Sequence, residues 1–441
     1  ISVYSYGDGI SAAGEGNKKL EESSDDGETG LTAVTDKAQE NLNDGSVNEN
    51  LQSSDSASVK SISASAQAKR NAVELTDSVT ALNVPAGTSG NIGNATITSG
   101  GKVAVTSSDK LVTEFETGAI AGGAVGVGAG IGILDVDTDS TAQISGASRI
   151  TANQLAVLAK TNHNLVGTGF AGTGGLAAAI SADVAMITDN SSTLAQVEGE
   201  ELLVSGTVAV EADAVRAVST TAESASLAGL IAVGVSVAES HIGGSVTAKM
   251  SNNASVGTDS NRAGAVTIAA TSNDRATSDA TASGGGVGAA LQGTVSEATV
   301  STAVLTEVDS AEIYSDDHVL VHGSATSMAN ATATGLAVAG GLAVAGSEAD
   351  AIISTRVNST VSGGSVIDAA TAQVLAASTT TLAKTYATGA SGALIGVTAT
   401  AALSRNTAHS DALVTGSSVT TTGNFNVNAM NATNQDAYAT G

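Results

Sequence analysis

VAVEADAV (Val208–Val215), LAGLIAVGVSVA (Leu227–Ala238) and SVTAKM (Ser245–Met250) follow one another, and then the series begins again. In the first phrase Val208, Val210, Ala212 and Ala214 share one parity, and Glu211 and Asp213 the other. Side chains alternate across a strand, so this is a half-buried strand with a solvated outer side. In the second phrase both parities are apolar or tiny, which predicts a strand covered on both faces. The third alternates again and leads into an Asn/Gly/Ser/Thr turn.

The opening strand recurs as VAVTS (Val103), LAVLA (Leu155), VAVEA (Val208), VTIAA (Val266), VLVHG (Val319), QVLAA (Gln373) and FNVNA (Phe425), at intervals of 52 to 58 residues. A repeat of this length marks a stacked architecture in which each unit buries its apolar face against its neighbours. The expected fold is all-β, a parallel β-solenoid of about seven units of roughly 53 residues. One wide coil per unit is favoured over two small ones, because only one clearly outward-charged strand occurs in each period. Helix is the rival reading of the Gly/Ala blocks. It would place seven glycines inside the 17 residues Gly118–Leu134, at about 1 kcal/mol each relative to alanine.

Along the chain, residues 1–7 (ISVYSYG) resemble Val235–Ser240 and read as the end of a partial unit. Residues 8–77 lose the pattern, are rich in Glu, Asp, Ser and Asn, and read as a surface insertion with a short helix near Leu31–Leu42. Units occupy residues 78–424, and 425–441 begin a further partial one. The chain starts and stops inside a unit with no polar cap, which suggests a segment of a longer protein or ends that stack head to tail. It opens at Ile1 without Met or a charged leader, so targeting information is expected outside this segment.

Composition narrows function. The net charge is −26, from 43 acidic and 17 basic residues, and nucleic-acid binding needs a basic footprint that this chain does not have. There is no cysteine, hence no disulfide or thiolate metal site. Gly118–Leu134, unbroken by any charged or polar side chain, is the one run to consider as a membrane span. It falls short of the roughly 20 residues a helix needs, so no transmembrane span is expected and it reads as a buried strand.

Signals for chemistry are sparse. Gly167–Gly172 (GTGFAG) fits the dinucleotide pattern literally, but no helical pattern follows it, and a glycine-rich chain produces such matches by chance. His318 and His322 share a strand face without a third ligand. Asp135, Asp137 and Asp139 share one face of a strand end, a hard-cation arrangement that makes Ca²⁺ the single candidate cofactor. The competing reading is a charged outer face that opposes edge pairing. Tyr4, Tyr6, Tyr314, Tyr386 and Tyr438 are scattered, with few basic residues, unlike the aromatic-lined acidic grooves of polysaccharide-cleaving β-helices. The chain is not expected to be an enzyme.

The block GAIAGGAVGVGAGIGI (Gly118–Ile133), preceded by VAVTS and followed by STAQISGASRITA (Ser140–Ala152), resembles the β-strand repeats of giant bacterial filamentous adhesins of the leukotoxin or filamentous-haemagglutinin kind. The likeness covers nearly all of residues 78–441. It implies an exported, cell-surface rod that mediates attachment or cell–cell association. A self-assembling sheath or matrix subunit is the second expectation, with neighbouring copies as partners end to end or side by side. A glycan- or ice-binding module is the third, and the irregular charges Glu211, Asp213 and Arg216 speak against the flat Thr array it requires.

Overall fold

The computed structural model describes residues 2–12, 87–198 and 201–441. The expected insertion and its helix, and the strand SVTAL (Ser78–Leu82), lie outside the described residues except for residues 8–12. All regular structure among the described residues is strand. The strands form one 12-stranded and two 7-stranded sheets, and neighbouring strands pair in parallel, as Val208–Ala228 does with strands on both sides. The fold is a β-solenoid-like parallel stack.

One level of the stack shows how the sequence shapes it. The opening strand does not stop after its Val/Ala phrase but continues through the Ser/Thr/Ala stretch, so that Val208–Ala228 is a single strand of 21 residues. Its inward positions begin Val, Val, Ala, Ala and go on Arg216, Val218, Thr220, Ala222, Ser224, Ser226, Ala228, all buried. The chain bends at Gly229–Leu230 and returns as Ile231–Ile242. The limbs run antiparallel and close together, since a Cβ on Gly128 would lie 3.0 Å from Thr173 and one on Gly130 3.3 Å from the Phe170 carbonyl. Small inward residues permit that approach.

At Gly243–Gly244 the chain turns again. Gly244 takes φ +73° there, a left-handed conformation that glycine adopts at no steric cost. Ser245–Ser251 then diverges from the long strand. A turn with Asn252 and Asn253 at positive φ (56° and 61°) leads into a short fourth strand, Ser255–Val256, absent from the sequence reading. The first half of the long strand thus closes a three-sided core with the third and fourth strands, built on residues such as Val210, Val246, Ala248 and Val256. Its second half packs on the returning limb through a thinner, alanine-rich core. Each period makes one wide coil, as favoured.

Levels stack in register. Val103 pairs with Leu155, Leu155 with Val208, Val208 with Val266 and Val266 with Val319. Val319 then pairs with Ala372, not Gln373, which in turn meets Phe425. The one-residue offset has a physical cause: side chains alternate faces, so placing Gln373 inward would bury an amide while exposing Val374. A bulge after Ser378 restores the phase, pairing Thr326 with Thr380. Ser2–Ala12 pairs along Ala104–Glu114, the first half of a long strand. The likeness of residues 1–7 to Val235–Ser240, a returning strand, had placed it differently.

Candidate functional site

Eight residues after their strand starts, in consecutive levels, stand His163, Arg216, Asp274 and Ser327, paired in one inward column. The sequence reading put Arg216 among the outer charges, but it is 1% exposed. Parity continues unbroken from Val208, and the guanidinium is fully matched. Its Nε and Nη2 donate to the Asp274 carboxylate at 2.9 and 3.0 Å, Nη1 to the Ser191 and Gly243 carbonyls at 3.2 and 2.6 Å, and Nη2 also to Thr302 Oγ1 at 2.7 Å. All five N–H groups have partners, the condition for burying this charge. Ser272 and Thr302 hydroxyls donate to the same carboxylate, both at 2.5 Å.

One level back, His163 lies between two carboxylates, with Nδ1 at 2.9 Å from Asp189 and Nε2 at 3.3 Å from Asp109. Burial acts to discharge the imidazole, but the hydrogen bonds and attraction of both aspartates outweigh it and hold its pKa up at about 9. Burial likewise opposes ionisation of Asp109 and Asp189, and the bonds from His163 overcome it, so both stand below the usual carboxylate range. The arrangement resembles a general-base pair, yet His163 and Asp189 are almost wholly buried. No substrate reaches them, and the cluster acts as a polar rung between two apolar cores.

Another interior carboxyl has a different character. Asp183 is 0% exposed, and Gly130 and Gly169 make the space it fills, since a Cβ on either would collide with its oxygens. Oδ2 accepts from the Glu223 backbone N–H at 3.1 Å, while Oδ1 has no hydrogen-bond partner. Burial dominates over the backbone bonds and raises its pKa to about 7.

The residues singled out from sequence take ordinary places. Asp135 lies near the end of the strand Lys102–Val136, Asp137 sits in the corner and Asp139 opens Asp139–Ser145, all exposed. No group of three or more His, Asp or Glu side chains among the described residues could hold a metal ion. GTGFAG lies inside the strand Gln154–Asp189, where Gly167 admits the Phe115 ring and Gly169 the Asp183 carboxyl. Its glycines serve packing. His318 and His322 share the outer face, and burial pushes the His322 imidazole down. The scattered tyrosines are partly gathered: Tyr386 and Tyr438 pair in register and stack with centroids 5.0 Å apart.

The largest surprise is the outer face of the returning limbs. The both-parity apolar pattern implied cover on both faces, and the run Gly118–Leu134 implied a buried strand. Instead the outward positions are covered only in part: Val184 and Val237 are buried, while Ile120 is 86%, Leu176 82% and Val287 72% exposed around the bend. Register sorts the outward residues into rows along the stack. One row is wholly branched and aliphatic: Val127, Ile180, Val233, Leu291, Val344 and Val397. The next is small at every level but one: Ala129, Ala182, Gly293, Gly346 and Ala399, with Val235 the exception. A third runs Ile131, Val184, Val237, Val295, Glu348 and Ala401, with Val184 and Val237 buried. The face therefore presents an aliphatic ridge beside a furrow, and the furrow holds a concavity of about 390 Å³ over Gly293 and Gly346.

Its far margin is acidic. Glu239, Glu297 and Asp350 occupy one row, and burial followed by repulsion from Glu348 and Glu297 lifts the Asp350 pKa to about 6. Among the described residues no helix is long and apolar enough to cross a membrane. No known protein family, curated protein or solved structure matches the chain.

Proposed function

We propose that this chain is a structural segment of an extracellular, surface-displayed β-solenoid that acts as a rod-like adhesin or filament in attachment or cell–cell association. In this reading it comprises about seven units of roughly 53 residues carrying one acidic insertion. The observation that carries it is the continuous in-register pairing of long strands from Ser2–Ala12 to Phe425–Thr440. Backbone bonded to backbone along one axis is what a load-bearing rod requires. Seven pairings at about 4.8 Å span only about 34 Å, whereas a 21-residue strand reaches about 70 Å across. The rod is then made by continuation of the same stack in a longer chain.

Support for the attachment role comes from the resemblance of Gly118–Ala152 to filamentous adhesins. The test is to coat beads with the segment and count cells bound under flow, with an unrelated acidic protein as control. Equal binding on both bead types would remove the attachment role. A density map showing separate compact lobes would remove the scaffold itself. The second reading, a self-assembling sheath subunit, is favoured by the ridged apolar face on the returning limbs.

A further inference from the structure

We propose that the outer face of the returning limbs is a pairing surface for a second copy of this chain, with the two stacks side by side and pointing the same way. The proposal rests on the scaffold reading and names a partner for it. Three features select a copy of the chain over other occupants.

The first is shape. The aliphatic ridge of Leu291 and Val344 lies beside the furrow of Gly293 and Gly346, so a twofold axis between the two rows seats each ridge in the partner's furrow. The second is the axial repeat. Rows spaced at about 4.8 Å match only a partner with that same spacing at every level, and this chain has it by construction. The third is area. Six levels at about 4.8 Å by eight residues at about 3.3 Å give roughly 800 Å² per partner, the size of a standard specific interface.

Charge fixes the orientation. A twofold axis along the strands would reverse one stack and set the acidic row of Glu239, Glu297 and Asp350 against its own image. An axis parallel to the stack sends the two acidic margins to opposite flanks. The acidic margins then stay apart, and the two rows astride the axis are uncharged, with Glu348 one row further out. With a net charge of −26 per chain, added salt should strengthen the pair by screening long-range repulsion.

Gly293→Glu tests this without touching the core, because a Cβ there meets nothing within 4 Å. Sedimentation velocity of the intact chain over a dilution series should show the mass of two chains in moderate salt. Gly293→Glu should weaken association by at least about tenfold. Val215→Glu, on the outer side of the long strand and 41% exposed, should leave it unchanged. A single thiol supplied by Val344→Cys, in a chain with no cysteine of its own, gives the orientation. A short bismaleimide should cross-link it to its counterpart at the same level.

A monomer at every concentration and salt overturns the proposal. If the Val344→Cys thiol of that monomer is also protected from maleimide, residues 13–86 of the same chain occupy the face. Association unaffected by Gly293→Glu overturns it too, and a pair that forms without the Val344→Cys cross-link overturns the parallel arrangement. Each of these leaves the stack intact by density map, so they are distinguishable from failure of the scaffold reading.

Discussion

Replacing Arg216 with Met keeps the volume and removes the charge, leaving the Asp274 carboxylate in the interior with only the Ser272 and Thr302 hydroxyls. The Ser191 and Gly243 carbonyls lose the donor they share. Breaking a fully buried ion pair from one side costs about 3–5 kcal/mol, and both side chains here are wholly buried. Arg216→Met should therefore lose about that much. The double variant Arg216→Met with Asp274→Ala removes the stranded charge as well and should recover at least about 2 kcal/mol of the loss.

Stacked units need not unfold as one, so native-state hydrogen exchange is the assay. It is read at the amides of Val208–Ala228 and Val266–Gly286 and compared with levels further along the stack. A loss below about 1 kcal/mol in the single variant would refute the reasoning, as would a double variant worse than the sum of the singles.

Val210→Asp puts a charge at a position 0% exposed and should cost several kcal/mol, whereas Glu211→Lys at the next, exposed position should stay within about 0.5 kcal/mol; urea denaturation separates them. Gly167→Ala sets a methyl against the Phe115 ring and should cost about 1–3 kcal/mol, relieved by Phe115→Leu, with thermal melting as the readout. Asp183 has its folded pKa raised from 3.8 to about 7, so it favours the fold below the lower value and that contribution is lost as pH rises through the upper one, about 4 kcal/mol in all. Asp183→Asn should flatten that slope in melting temperature against pH. His163 is raised from 6.5 to about 9; its contribution is complete below 6.5 and disappears as pH climbs through 9, a second alkaline decline that Asp183→Asn leaves in place.

The stacking was legible because strand starts recur in phase, and parity at Val208–Ala214 assigned the inner face. Arg216 was misplaced because its partner lies 58 residues away, beyond any local pattern. A signal existed nonetheless: His163, Arg216 and Asp274 all fall at the same phase of successive units, and parity counted from Val208 points Arg216 inward. The outer face of the returning limbs misled for another reason. Apolar residues on both parities say that a strand can be covered twice, and in Leu227–Ala238 the outward parity is buried only at Val237.

The column through His163, Arg216 and Asp274 bears on how such a gene can change. Copying one unit beside itself would set guanidinium over guanidinium, or carboxylate over carboxylate, in a dry interior. Tandem duplication at these levels is therefore penalised at birth, and recombination between them yields misfolded products. Units elsewhere, with serine, threonine or leucine at that phase, escape the restriction.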